Sequence, residues 1–130
     1  MSGAPQGPSR RRKILIVEDD PSVRALVVRG LRERYDVHEA ADGLAALELI
    51  AAELDPDLII LDVMMPRVDG LTFAKKFRAD KRYRSIPIIF LTAKGTAADM
   101  IAGIQAGAKH YVTKPFSLAT LVAKVDKLLP

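Results

Sequence analysis

Four apolar runs in this chain end in polar residues whose types suit phosphate or metal chemistry. Leu58-Ile59-Ile60-Leu61 ends at Asp62, and Ile14-Leu15-Ile16-Val17 runs into Glu18-Asp19-Asp20. Ile86-Pro87-Ile88-Ile89-Phe90-Leu91 runs into Thr92, and Tyr111-Val112-Thr113 into Lys114. A carboxylate at the tip of a buried strand lies where open α/β sheets bind ligands, outside the carboxyl ends of their strands. If five parallel strands are ordered 2-1-3-4-5, the switch point falls between strands 1 and 3, and Glu18, Asp19 and Asp62 share one crevice. A like-charged pair about 4 Å apart costs on the order of 4 kcal/mol at an effective dielectric of 20. A cation must offset this. Mg²⁺, which takes one or two carboxylates with water and phosphate oxygens, is the natural candidate, and Lys114 is a second positive charge. So neutralised, Asp62 is a competent nucleophile toward phosphorus, because phosphoryl transfer asks of a protein mainly position and charge. The Thr92 hydroxyl gains a strong acceptor only when a phosphoryl group arrives, which is the differential contact a switch requires. Asp20 stands just before Pro21, where a helix N-terminus favours an acid, and is left out of the metal set.

The elements that must position these groups alternate short apolar runs with amphipathic segments, five times over, the mark of βα units and a parallel sheet. Strands are expected at 13–17, 36–40, 57–61, 86–91 and 109–113. The second, Asp36-Val37-His38-Glu39-Ala40, is polar enough for an edge. The first helix starts at Pro21, with Val23, Val27, Leu31 and Leu26 on one face. The second follows Asp42 as N-cap and repeats Leu47, Ile50, Ala51 and Leu54. The third follows Asp69-Gly70 and packs Phe73 and Phe77. The fourth starts at Thr96; its Gly103, Gly107 and many alanines predict thin packing. The fifth starts near Ser117 and buries Leu118, Leu121, Val122, Val125 and Leu128. The apolar pattern ends there, so no DNA-binding or catalytic output domain is expected within the chain.

A length of 130 residues suits one domain, and a composition 49% hydrophobic and 28% charged suits a globular one. With no Cys there is neither a disulfide framework nor thiolate chemistry. No stretch approaches the roughly 20 apolar residues of a membrane span, and Met1–Arg12 has no apolar segment of a secretory signal. A cytoplasmic protein is expected. Of the formal net charge of +4, Arg10, Arg11 and Arg12 supply three; residues 13–130 hold 17 basic and 16 acidic side chains. Nucleic-acid binding is therefore not expected of the folded part, and residues 1–12 are expected to be a disordered basic leader.

Four motifs stand in order: Val17-Glu18-Asp19-Asp20; Leu61-Asp62-Val63-Met64-Met65-Pro66 with Asp69-Gly70; Leu91-Thr92-Ala93; and Tyr111-Val112-Thr113-Lys114-Pro115-Phe116. Together they make the chain resemble, over about residues 13–129, the receiver domain of bacterial two-component response regulators. The resemblance implies a flavodoxin-like (βα)5 fold, a doubly wound parallel five-stranded sheet of order 2-1-3-4-5, with residues 13–130 as the receiver domain. It implies that Asp62 is the phosphoacceptor and that Asp19 binds Mg²⁺ directly, with Glu18 acting mainly through water and Asp62 and the Met64 carbonyl completing the protein ligands. Lys114 would pair with Asp62 and then with the phosphoryl group. Thr92 would move toward that group, the Tyr111 ring would turn inward behind Thr92, and the Lys114-Pro115 peptide would be cis. The implied partners are a sensor histidine kinase or phosphotransfer protein upstream and an effector downstream, reached through the fourth helix, fifth strand and fifth helix. Neither direct DNA binding nor membrane contact is implied, and the domain would be a monomer or a phosphorylation-dependent dimer. It would be no enzyme in the ordinary sense, but a phosphoacceptor that assists its own phosphoryl transfer.

Two family positions tune phosphoryl lifetime, here Met64 and Lys94. Met64 cannot orient an attacking water and a charged Lys94 cannot act as a base, so slow self-dephosphorylation is expected. Rival functions fit less well. A flavin carrier on a similar sheet needs a hydroxyl- and Gly-rich phosphate loop after strand 1, where this chain has three acids. An aspartyl-nucleophile hydrolase of the dehalogenase-like kind needs an Asp-x-Asp pair after strand 1, and Asp62-Val63-Met64 lies on strand 3. A receiver-like module that binds partners without phosphorylation would have lost an acid, the Thr or the Lys, and all are present.

Overall fold

The sequence alternates β-type and helical periodicity, and the chain folds accordingly. The structure, a computed structural model, describes residues 11–63, 70–93 and 110–130. Five strands, β1 (Lys13–Val17), β2 (Asp36–Ala40), β3 (Leu58–Asp62), β4 (Ile88–Ala93) and β5 (His110–Lys114), form one parallel sheet in the order β2-β1-β3-β4-β5. Four described helices are α1 (Pro21–Leu31), α2 (Gly43–Ala51), α3 (Gly70–Ala79) and α4 (Leu118–Leu128). A 3-10 turn, Lys81–Tyr83, follows α3. The helix expected from Thr96, with Gly103 and Gly107, lies outside the described residues, as do Met64 and Lys94.

Strand alternation decides which face each residue serves. Ile14, Ile16, Leu58, Ile60, Ile89 and Leu91 pack with Val27 and Leu31 of α1 and Leu121 and Val125 of α4. The residues between them, Leu15, Val17, Ile59, Leu61, Ile88 and Phe90, pack with Ala46 of α2 and with Phe73 and Phe77 of α3. Both faces of β1, β3 and β4 are therefore apolar. That is why these strands read as continuous hydrophobic runs, while the polar β2 takes an edge.

The helix starts follow local chemistry. Asp20 caps α1 by accepting from the Ser22 and Val23 amides, Asp42 caps α2 by accepting from Ala45, and Ser117 caps α4 by accepting from Thr120. Three sequence expectations need correction. Leu26 is 40% exposed rather than on the buried face of α1, because it lies about 100° around the helix from Val27. In α2 the buried residues are Gly43 and Ala46; Ala51 is exposed, while Leu47, Ile50 and, beyond the helix, Leu54 are half-buried against the core. In α4 only Leu121 and Val125 are fully buried, and Leu118, Val122 and Leu128 flank them. Arg11 and Arg12 also join the fold ahead of the boundary drawn at Lys13. Arg11 donates to the Arg32 carbonyl at 2.8 Å, and the Arg12 carbonyl accepts from the Asp36 amide at 2.9 Å. Among the described residues, no helix is long and apolar enough to cross a membrane.

Candidate functional site

The strand order puts the ends of β1 and β3 side by side, with Val17 opposite Leu61. Asp62 ends β3 on the parity of Leu58 and Ile60, and Lys114 ends β5 on the parity of Val112. Glu18 follows β1 on the parity of Ile16. All three thus continue rows that face α1 and α4. Glu18 and Asp62 are buried and Asp19 is exposed. One oxygen from each of the three lies within 4.8 Å of those from the other two.

Lys114 bridges the buried pair. Its Nζ is 2.9 Å from Glu18 Oε1, an ion pair without hydrogen-bond alignment, and donates to Asp62 Oδ2 at 3.4 Å. Its nearer partner is therefore Glu18, although the sequence motif suggests Asp62. Burial pushes the Lys114 ammonium down, but the close Glu18 oxygen and the Asp62 charge outweigh burial and hold its pKa above the usual value. Three carboxylates against one ammonium leave the cluster at −2, the charge a divalent cation balances. The donors are all oxygen, as a hard cation prefers.

Backbone and neighbours hold these groups in place. Glu18 donates its amide to the Ala40 carbonyl at 3.1 Å, and Glu18 Oε2 accepts from the Asp20 amide at 3.1 Å. Arg24, on α1, donates through Nη1 to the Glu18 carbonyl at 2.7 Å and through Nε to Glu39 at 3.2 Å. Sequence reasoning missed Arg24; its place one helical turn after the acidic triplet is the signal that could have found it. At the β3 end, the Gly70 amide donates to the Val63 carbonyl at 3.2 Å. A Cβ on Gly70 would collide with the Asp62 carbonyl oxygen and lie 2.9 Å from Val63 Cα. Glycine is needed there because α3 starts against the backbone that carries Asp62.

Thr92 is placed by its backbone on β4, in register with Thr113, and Ala93 pairs with Lys114. Tyr111 pairs with Phe90 and its side chain is 46% exposed. The Lys114-Pro115 peptide is cis, as expected.

The chain is similar to known proteins over most of its length. Residues 14–126 match the family described as "Response regulator receiver domain". The chain belongs to the response-regulator receiver family. It is 44% identical over 118 residues to the DNA-binding dual master transcriptional regulator RpaA of Synechocystis sp., covering 90% of this chain and 48% of that protein. It is 43% identical over 118 residues to Response regulator MprA of Mycobacterium ulcerans, covering 90% and 50%. The chain thus spans about half the length of the curated relatives it matches. Among solved structures, a putative response regulator from Chloroflexus aurantiacus is 40% identical with a TM-score of 0.82, over 92% of this chain and 98% of that one. The Vibrio cholerae chemotaxis protein CheY4 is 34% identical with a TM-score of 0.81, over 91% and 98%. The receiver family serves phosphorylation-activated two-component signalling and generally binds Mg²⁺.

Proposed function

We propose that this receiver works as a switch thrown by phosphorylation of Asp62. The observation that carries the reading is the meeting of Glu18, Asp19 and Asp62 within 4.8 Å at the carboxyl edge, with Lys114 on the buried pair. Asp62 is the nucleophile among the three. It ends the central strand and keeps a sliver of exposure at the carboxyl edge, whereas Glu18, the nearer partner of Lys114, is wholly enclosed. A carboxylate oxygen of Asp62 attacks phosphorus as the bond from phosphorus to the donor's leaving atom breaks. The leaving group departs with the electron pair, and the acyl phosphate remains on Asp62. Asp19 and Asp62 would hold Mg²⁺ directly, Glu18 would act through water, and the Met64 carbonyl, outside the described residues, would add a ligand. The bound ion supplies charge neutralisation for the transferring phosphoryl group. Lys114 keeps its proton throughout and shifts its contact from the Asp62 carboxylate to a phosphoryl oxygen.

The donor is a phosphohistidine of a sensor kinase or phosphotransfer protein. Thr92 meets the phosphoryl group, and the Tyr111 ring, exposed in this structure, turns inward behind it. The effector reads this change on the surface that contains β5 and α4. RpaA, the relative named as a DNA-binding transcriptional regulator, supports a DNA-binding output as the destination of the signal. With Met64 and Lys94 at the lifetime positions, self-dephosphorylation is slow. Incubation with Mg²⁺ and acetyl phosphate followed by intact-mass measurement tests the reading. One added phosphoryl group is expected, persisting after the donor is removed and absent in Asp62→Asn. An unmodified mass with donor and Mg²⁺ in excess would defeat it.

A further inference from the structure

Residues 75–84 read Lys-Lys-Phe-Arg-Ala-Asp-Lys-Arg-Tyr-Arg, six cationic side chains and one carboxylate. That local net of +5 exceeds the +4 of the whole chain. Structural roles account for two of the six. Arg78 Nη1 donates to the carbonyls of Tyr83 at 3.0 Å, Arg84 at 2.9 Å and Ile86 at 2.5 Å, which closes the turn between α3 and β4. Arg82 is gripped by both Asp80 oxygens and lies 4.9 Å over the Tyr83 ring, and Asp55 adds its charge to it. Lys75, Lys76, Lys81 and Arg84 are exposed and form no ion pair among the described residues. A place near the end of α3 suits Lys76 through the helix dipole, but Lys81 and Arg84 lie beyond the helix.

The backbone that displays these four charges is firmly held. Phe73 stacks on Phe77 at 5.7 Å and Phe77 on Tyr83 at 4.5 Å, so α3 and the turn after it share one buried aromatic column. Lys81 and Arg84 are therefore carried by the rigid turn that leads into β4, at the amino edge of the sheet, and Lys75 and Lys76 by the α3 turns that precede it.

We propose that this face binds the phosphate backbone of a nucleic acid without reading its bases. The alternative polyanions need something this face lacks. Protein interfaces are anchored by buried aromatic or large apolar side chains, and peripheral membrane binding needs an apolar face to insert. Among the described residues, the exposed large apolar side chains are Leu26, Leu44 and Tyr111, which lie on α1, α2 and β5. Contact with a phosphate backbone needs only cations and the release of counterions.

Anisotropy of a fluorescent DNA duplex titrated with the full chain tests this. For about four neutralised phosphates, affinity falls roughly 100-fold between about 50 and 200 mM salt. Replacing Lys75, Lys76, Lys81 and Arg84 together by Gln removes most of that salt dependence and the binding, with circular dichroism unchanged. Replacing Arg10, Arg11 and Arg12 by Gln leaves most of both. Asp62→Asn leaves binding intact, so this result stands apart from the phosphorylation reading. No binding by the parent at low salt overturns the proposal, and so does loss only in the leader variant. Tighter retention on phosphatidylglycerol vesicles than on duplex at equal salt also overturns it.

Discussion

The two edges of the sheet hold polar clusters built from similar groups and balanced in opposite ways. At the carboxyl edge, Glu18 and Asp62 are buried, Asp19 stands beside them, and Lys114 answers only part of their charge. At the amino edge, Asp126 accepts from the Tyr35 hydroxyl at 2.6 Å and from Arg34 at 2.9 Å, and Arg78 is saturated by backbone carbonyls. One edge is left with an excess for a ligand to complete. The other is finished within the chain, apart from the exposed cations of residues 75–84. Perturbed, incompletely balanced charge marks a functional site, and fully paired polar groups mark scaffold.

The largest effect should come from removing the ammonium that bridges the two buried carboxylates. Lys114→Met leaves two buried carboxylates facing each other and should cost about 3 kcal/mol of stability in denaturant melts. Mg²⁺ should restore more of the loss in the variant than it adds to the parent. The pH dependence follows from the raised pKa of Lys114. A group held charged in the fold contributes below its ordinary pKa, and its contribution is lost as pH rises through the folded value. The difference between parent and variant should therefore be constant near neutrality and close only above about pH 10.5. Equal stability at pH 7 would mean that the two carboxylates do not need their ammonium.

The same substitution at two glycines separates rigid from adjustable surroundings. Gly70→Ala drives a methyl into the backbone of Asp62 and Val63, which cannot yield without moving the site. It should cost about 2 kcal/mol or more and slow phosphorylation by acetyl phosphate. Gly30→Ala instead meets the two terminal methyls of the half-buried Leu118 at 2.9 Å, which can swing aside. An Ala gains about 1 kcal/mol of helix propensity over Gly, so the net change should be within about 0.5 kcal/mol. Equal losses at both positions would contradict this contrast.

How much of this was legible in the sequence depends on the range of the interaction. Strands β1, β3 and β4 announced themselves because burial on both faces demands unbroken apolar runs, and the Asp42 cap because a cap acts within three residues; Asp20 and Ser117 were legible only as marks of where a helix begins. The site residues could be named because strand tips share one edge of a parallel sheet. What stayed hidden depends on side-chain reach across elements. Arg24 looked like one more polar helix residue, yet it grips the Glu18 carbonyl. Tyr83 belongs to no motif or apolar run, yet it completes a stack with Phe77. Leu26 was misjudged because apolar spacing alone does not say where a stripe ends.

The smallest effect should come from the amino edge. Tyr35→Phe keeps the buried ring and removes only the hydroxyl that donates to Asp126, 91 residues away on α4. One hydrogen bond to a half-exposed carboxylate is worth about 1 kcal/mol. The Tyr35 hydroxyl is the main reason the Asp126 carboxyl is held below its usual range; slight burial opposes it and Arg34 assists. A carboxyl with a depressed folded pKa contributes stability above its ordinary pKa and loses it as pH falls through the folded value. The cost of Tyr35→Phe should thus be full at pH 7 and shrink below about pH 4. Unlike Lys114→Met, it should leave the response to Mg²⁺ and the phosphoryl uptake from acetyl phosphate unchanged. A weakened Mg²⁺ response in Tyr35→Phe would mean that the two edges are coupled through α1 and α4, and the separation between site and scaffold would fail.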